Sequence, residues 1–399
     1  MAATTTTSSP MLRGPAPRSR IEALSSLRVF AAMQVVVYHF SEEALVGAPR
    51  WLVTFVEGAQ PAVTLLFVLS GFILTYGYGD ALASGRVSPR RFWLARFARV
   101  YPLYVVAFAI EAVAILANPA ADKHNFALAS LAHLFAIQSW FPPLVNVINI
   151  PAWSICCEVA FYACFPFLVG RIFVDRRRSR LVLGGVAAWL IGLVIPILYV
   201  LFHPDGRPRP FDPAPWFDFV RFSPLARFPE FIVGMAVARL FLRDLAEGRA
   251  RRGASWAVGG VASYLALIEL RDVVFPFDNM ALYHDGLLAP VCAVIVFGLA
   301  HGGWPSRILA ARPLVRLGEA SYALYILQSP VFTFVSVFLI DGWEVTPFFL
   351  LQIIALLLSL SVVSFQLLET PARRALTRVF ERWSSSPDPG LHSSATPRR

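Results

Sequence analysis

Two ionisable residues stand in one apolar stretch near the start of the chain, Arg28 and His39 in LRVFAAMQVVVYHF. In an α-helix the eleven steps between them turn through about 1100°, which is three full turns plus about 20°. The two side chains would therefore share one helix face, roughly 16 Å apart along the axis. Ionisable groups inside hydrocarbon are costly and usually functional, so a guanidinium above a buried imidazole is a candidate site.

Glu158 could supply the carboxylate that such an imidazole needs. It follows Trp153 and Ser154 in another apolar run, and Ser154 and Glu158 share a helix face because they are four residues apart. We expect His39 and Glu158 at similar depth in the bundle. A carboxylate beside the imidazole would fix its tautomer and raise its basicity, as in a general base that deprotonates a hydroxyl. The spacing fits equally well with two groups that are satisfied separately.

Arg96 and Arg99 stand three residues apart at the start of a predicted helix, in FWLARFARVYPLY. Guanidinium groups hold phosphates bidentately, so this pair is a candidate phosphate site. A basic loop also satisfies the positive-inside rule, but the adjoining Tyr101 and Pro102 favour a specific role. Further residues at predicted helix ends are candidates for supporting roles in the site. They are Arg227, Glu230, Ser321 and Tyr322.

The composition indicates what must position these side chains. Of the 399 residues 57% are hydrophobic and only 15% are charged, against roughly 25% in soluble domains. The net charge is +10, but the arginines gather in short loops between apolar runs of about 18 to 22 residues. This pattern predicts a polytopic membrane protein and argues against nucleic-acid binding. The four cysteines lie in apolar runs without paired spacing and predict no metal site.

The apolar runs predict an all-α fold with about ten transmembrane helices and both termini in the cytoplasm. The segment Phe126–Trp140 has about fifteen residues and is followed by prolines, so we expect it to be a short re-entrant helix. The predicted domains are a disordered cytoplasmic tail at 1–23, a transmembrane domain at 24–374 and a mostly disordered cytoplasmic tail at 375–399.

Seven motifs resemble those of the acyltransferase-3 family, integral-membrane enzymes that O-acylate carbohydrates, peptidoglycan, lipopolysaccharide, Nod factors and some macrolides. The resemblance covers nearly the whole apolar chain, from Leu27 to about Arg374. Each motif alone is weak, whereas seven in family order are a strong match. They are Arg28-x10-His39, LLFVLSGFIL, Arg96-x-x-Arg99-x-Tyr101-Pro102, Trp153-Ser154-x-x-x-Glu158, RFPEFIVGM, LGEASYALYIL and Glu369-x-Pro371.

The resemblance implies an acyl-CoA donor, usually acetyl-CoA, whose phosphates Arg96 and Arg99 would hold from the cytoplasm. Its pantetheine arm would thread beneath Arg28, so that His39, oriented by Glu158, could deprotonate an acceptor hydroxyl. Alternatively His39 would carry the acyl group covalently. It further implies a bacterial inner-membrane location, contact with membrane lipid, a carbohydrate or glycolipid acceptor, and no permanently bound cofactor or metal. A macrolide or other small-molecule acceptor is the alternative, and the oligomeric state stays open.

This chain departs from the family pattern at two positions. Gln328 stands where many members have a histidine, so a second histidine there cannot be required. Thr64 stands where an acidic residue often precedes the LSGF segment, which would suit a different acceptor subgroup. The longest predicted outer loop could bind the acceptor, although its composition also suits an ordinary interface loop. Its polar and aromatic residues are Asp205, Arg207, Arg209, Asp212, Trp216 and Asp218.

Two other classes fit parts of the sequence. A multi-span transporter would also have ten spans, glycine and proline in its helices and buried ionisable groups. It predicts internal repeats, which the sequence does not contain, and gives no reason for Arg96-x-x-Arg99 beside a histidine-lined core. A structural or flippase-like scaffold is the third class, and it requires His39 and Glu158 to be replaceable.

Overall fold

The computed structural model describes residues 21–41, 43–172, 177–206, 214–249, 252–274, 280–339 and 345–385. Within these residues the chain is helical and contains no β-strand, so the predicted all-α class is confirmed. The α-helices in chain order are α1 Glu22–Phe40, α2 Arg50–Glu57, α3 Pro61–Ala83, α4 Pro89–Ala117, α5 Phe126–Leu134, α6 Pro142–Val145, α7 Trp153–Leu168, α8 Arg178–Gly192, α9 Val194–Phe202, α10 Pro215–Phe222, α11 Pro224–Ala246, α12 Gly253–Glu269, α13 Arg271–Val274, α14 Met280–His284, α15 Ala289–Ala300, α16 Trp304–Leu309, α17 Arg312–Glu319, α18 Ser321–Phe338, α19 Pro347–Ser364 and α20 Thr370–Ser385.

Eight helical segments of the described residues are long and apolar enough to cross a membrane, which confirms a polytopic membrane protein. Two further spans predicted from the sequence correspond to α11 and α12. Helix α11 has 23 residues but carries several charges, and α12 has only 17 residues. The eight segments are Glu22–Phe40, Pro61–Ala83, Pro89–Ala117, Ile150–Leu168, Arg178–Phe202, Met280–Ala300, Ser321–Phe338 and Pro347–Phe380.

Four charged residues of α11 face the interior of the bundle. Arg227, Glu230, Arg239 and Asp244 are all buried, and Arg239 forms an ion pair of 2.7 Å with Asp80 on α3. A charged side chain in a membrane bundle is tolerated where it is paired and faces protein, as here. Helix α11 is therefore a core helix of the bundle despite its low apolar content.

Two glycines let α11 and α3 approach with their backbones in contact. A Cβ atom added to Gly71 would overlap the carbonyl group of Phe231, and one added to Gly234 would overlap that of Val68. Small residues at a helix crossing are the usual means of close packing in membranes, where apolar side chains gain little by leaving lipid. This crossing fixes α3 against α11.

The segment predicted to be re-entrant is a chain of short elements. Helix α5 has nine residues, and it is followed by a 3₁₀ turn at Gln138–Trp140, by α6 and by a second 3₁₀ turn at Ile150–Ala152 that leads into α7. None of these is long enough to span a bilayer. At the other end of the chain, α20 continues to Ser385, so the first part of the predicted tail at 375–399 is helical.

Candidate active site

Arg28 and His39 lie on α1, as the sequence predicts, but they line two different pockets. The first, called the basic pocket here, is lined on its polar side by Arg28, Arg99, Ser154, Glu158, Tyr162, Ser321 and Tyr322. The second, called the His39 pocket, is lined on its polar and aromatic side by Tyr38, His39, Gln60, Trp153, Arg221, Phe222, Arg227 and His284. The two pockets adjoin, since Val63 and Tyr325 line both.

His39 is held by Gln328 of α18. The His39 Nδ1 atom lies 3.0 Å from Gln328 Oε1, and Gln328 Nε2 donates to the carbonyl of Tyr325 at 2.8 Å. The amide group is therefore oriented with its oxygen towards the ring, so Nδ1 must be the protonated donor. The Nε2 atom then keeps its lone pair, and no described side chain forms a hydrogen bond with it. An exposed imidazole in this tautomer can accept a proton from a hydroxyl.

Glu158 does not lie beside His39, contrary to the expectation from depth. It lines the basic pocket, and its Oε2 atom accepts a hydrogen bond of 2.6 Å from the Tyr162 hydroxyl. The reason is its position along α7. Trp153 lines the His39 pocket, and Glu158 lies five residues further on, roughly 7.5 Å along the axis. The carboxylate thus faces the Arg28 end of the site, and the position of the predicted orienting group is occupied by Gln328.

Only one residue of the Arg96 and Arg99 pair lines the basic pocket. Arg99 does so together with Arg28. Arg96 instead donates from Nη2 to the Tyr78 hydroxyl at 3.0 Å, and its guanidinium lies over the Tyr78 ring, 5.1 Å from the centroid. Arg28 and Arg99 therefore form the cationic surface of this pocket, with Glu158 as its carboxylate. Such a surface suits a ligand that carries several phosphates.

The predicted serines and Tyr322 shape the walls of the basic pocket. The Tyr322 hydroxyl donates to the carbonyl of Val100 at 2.8 Å, which ties α18 to α4. The Ser321 hydroxyl donates to the Gly318 carbonyl at 2.8 Å, and that of Ser154 to the Pro151 carbonyl at 3.1 Å. These bonds satisfy carbonyl groups at the ends of two helical elements.

Arg227 and Glu230, two of the candidates from the sequence, form an ion pair, and Asp285 joins it. Arg227 contacts Asp285 at 2.8 Å and Glu230 at 3.2 Å, and all three side chains are almost fully buried. Thr64 bridges the pair, since it accepts from Arg227 Nη2 at 3.2 Å and donates to Glu230 at 3.1 Å. Arg227 also donates to the carbonyl of His284. This cluster joins α3, α11 and the turn after α14 behind the His39 pocket.

The loop predicted from the sequence to be the longest outer loop is partly described. Its residues 207–213, which include Arg207, Arg209 and Asp212, lie outside the described residues. Asp205 caps α10, because its two carboxylate oxygens accept from the backbone NH groups of Trp216 and Phe217 at 3.2 and 2.8 Å. Asp218 accepts from Asn146 at 3.4 Å. Burial raises the pKa of Asp218, and the charge of Arg221 one turn later opposes this.

Comparison with known proteins decides the family. A sequence model of the acyltransferase domain, that of the acyltransferase-3 family, matches residues 21–365. The chain therefore belongs to the acyltransferase-3 family. It is an acyltransferase that moves groups other than amino-acyl groups. The transporter interpretation is therefore not needed to explain the sequence. No solved structure matches the chain.

Three curated relatives show how far the resemblance to members of this acyltransferase-3 family extends. The chain is 30% identical to acyltransferase MdmB of Streptomyces mycarofaciens, over 77% of this chain and 78% of that protein. It is 23% identical to a putative O-acetyltransferase of Staphylococcus aureus strain COL, over 89% and 57%. It is 25% identical to the putative peptidoglycan O-acetyltransferase YrhL of Bacillus subtilis strain 168, over 91% and 56%. The chain thus spans little more than half the length of the latter two.

Proposed function

We propose that this acyltransferase transfers an acyl group, most simply acetyl, from cytoplasmic acyl-CoA to a hydroxyl of a carbohydrate or related acceptor, such as a cell-surface polysaccharide or lipopolysaccharide. The observation that carries the proposal is the pair of adjoining pockets along α1. One pocket is basic at Arg28 and Arg99, the other presents the free Nε2 of His39, and Val63 and Tyr325 lie between them.

The donor is proposed to enter the basic pocket. Its phosphates would lie against Arg28 and Arg99, and its pantetheine arm would pass Val63 and Tyr325 to bring the thioester to His39. The rise of α1 separates Arg28 from His39 by roughly 16 Å along the helix axis, a span suited to an extended pantetheine chain. This route places the basic pocket on the cytoplasmic side of a bacterial inner membrane, with both termini in the cytoplasm.

The acceptor is proposed to enter the His39 pocket from the opposite side. Its hydroxyl would donate a proton to His39 Nε2 while its oxygen attacks the thioester carbonyl, and CoA would leave as the thiol after that proton is returned. In the covalent route, Nε2 attacks the thioester carbonyl and CoA leaves as the thiolate. The acceptor hydroxyl then attacks the acyl-imidazole, its proton passes to the thiolate or to solvent, and the ester forms as Nε2 is released. Gln328 serves both routes, because each needs the lone pair on Nε2.

A small-molecule acceptor, such as a macrolide, is the second candidate. It is favoured by the match to MdmB, which spans 78% of that relative, whereas the relatives named O-acetyltransferases extend well beyond the matched part. The two candidates share the donor and His39 and differ only in the molecule that enters the His39 pocket.

The proposal is tested with purified protein in liposomes supplied with labelled acetyl-CoA. Wild type should release CoA or take up label, whereas His39→Ala should do neither. His124→Ala, which changes an exposed histidine outside both pockets, is the matched control and should behave as wild type. Label retained on wild type without acceptor would favour the covalent route. Equal CoA release by wild type and His39→Ala would refute the role of His39.

A further inference from the structure

The His39 pocket contains an arginine that no motif of the sequence singled out. Arg221 is the last but one residue of α10 and lines this pocket together with His39, Arg227 and His284. Its guanidinium lies over the rings of Phe217 and Phe222, 5.3 and 4.8 Å from their centroids. Both rings belong to α10 and contact the guanidinium along its own helix.

Arg221 forms no close ion pair with a carboxylate among the described residues, although Asp218 and Asp285 lie near enough to feel its charge. Within the part of the chain that the structure describes, no acidic oxygen lies within 4.0 Å of its guanidinium, whereas the neighbouring Arg227 is bound by both Glu230 and Asp285. Asp218, one turn earlier on the same helix, accepts a hydrogen bond from Asn146 instead. A guanidinium in a partly enclosed cavity gains most from an anionic partner, so the pocket is prepared for one.

The helix that carries Arg221 is fixed at both ends. Asp205 caps its first turn through the backbone NH groups of Trp216 and Phe217, and Phe222 at its end packs on Trp153 with ring centroids 5.0 Å apart. Trp153 in turn lines the His39 pocket. The position of the guanidinium relative to His39 is therefore preorganised, as a specificity group requires.

We propose that Arg221 binds an anionic group, a carboxylate or a phosphate, on the acceptor, so that this acyltransferase modifies acidic sugars or acidic glycolipids in preference to neutral ones. The inference rests on the proposed function, because it takes the His39 pocket to be the acceptor site. The donor's own phosphates have a separate cationic surface at Arg28 and Arg99. Planar, bidentate recognition of carboxylate or phosphate is the chemistry that arginine performs best.

The test compares glucose, glucuronic acid and glucose 6-phosphate, measured by calorimetric binding to the detergent-solubilised protein and as acceptors with labelled acetyl-CoA. Wild type should prefer at least one of the two anionic sugars over glucose by about tenfold or more. The preferred anion identifies the group as carboxylate or phosphate. Arg221→Gln should abolish the preference, and Arg221→Lys should keep part of it because the charge remains. Arg312→Gln changes an exposed arginine outside both pockets and should keep all of it.

Three results would overturn the assignment: equal affinity of wild type for all three sugars, an unchanged preference in Arg221→Gln, or a larger rise in KM for acetyl-CoA than for the sugar in that variant. The third would make Arg221 a donor contact. Melting temperatures show that each variant is folded, and the lysine variant keeps the test valid if glutamine unfolds the protein. Failure of wild type to turn over acetyl-CoA would instead refute the proposed function, because sugar binding is measured without the donor.

Discussion

Replacing Gln328 with leucine should impair catalysis without weakening donor binding. Leucine removes the oxygen that accepts from His39 Nδ1 at 3.0 Å and the amide that donates to the Tyr325 carbonyl at 2.8 Å. The Nδ1–H group then has no acceptor, and the ring is free to rotate or to move its proton to Nε2. The basic pocket is lined by neither residue, so KM for acetyl-CoA should stay near the wild-type value.

The size of the effect follows from the buried contact. Gln328 is completely buried, and removing one partner of a buried hydrogen bond leaves a penalty of about 1–3 kcal/mol. Since each 1.36 kcal/mol of barrier is tenfold in rate, kcat should fall by roughly 5- to 150-fold. Single-turnover release of CoA from labelled acetyl-CoA measures this step directly and avoids any limit set by product release.

A second variant separates catalysis from structure. Gln328→Glu keeps an oxygen for His39 Nδ1 but loses the donor to Tyr325, so it should retain much more activity than the leucine variant. Gln352→Leu makes the same change at an exposed position of α19 and should behave as wild type. If the glutamate and leucine variants lose kcat equally while both stay folded, the orientation of His39 by Gln328 is refuted.

The remaining predictions concern the basic pocket, the ion cluster and the helix crossing. Arg99→Gln should raise KM for acetyl-CoA several-fold and leave acetyl-pantetheine, which has no nucleotide phosphates, unaffected; equal effects on both donors would contradict this. Asp285→Asn should lower the melting temperature, because breaking a buried pair with Arg227 costs about 3–5 kcal/mol; an unchanged value would mean that Glu230 alone balances the charge. Gly234→Ala should reduce folded yield through overlap with α3, whereas Gly77→Ala, where a Cβ meets nothing within 4 Å, should not; equal yields would contradict the tight crossing.

The helix pattern of α1 could be predicted because it depends only on residues that are close in sequence. The spacing of Arg28 and His39 sets both their shared face and their separation, and the structure keeps both on one helix. The same holds for Arg227 and Glu230, which are three apart on α11 and form an ion pair. Local periodicity therefore predicts which residues share a face of one helix, but not which of them belong to one site.

The partners of those residues could not be predicted, because they come from distant parts of the chain. Gln328 is 289 residues from His39, and no periodicity relates the two. The level at which α7 packs against α1 is also set by distant contacts. Glu158, which the sequence predicts beside His39, therefore lies in the basic pocket, roughly 7.5 Å along α7 from Trp153. Arg221 and Asp285 belong to short segments that none of the seven motifs includes, and only the replacement of a family histidine by Gln328 pointed towards any of these contacts.

One helix contributes to both pockets, and under the proposed function it connects the donor site to His39. Tyr325 of α18 lines both pockets, and its backbone carbonyl accepts the Gln328 amide that orients the imidazole. The same helix contributes Ser321 and Tyr322 to the basic pocket, and Tyr322 ties it to α4, which carries Arg99. Under the proposed function, a donor that passes Tyr325 contacts the helix that orients His39. Since α1 fixes the distance between Arg28 and His39, α18 is the element through which occupancy of one pocket can reach the other.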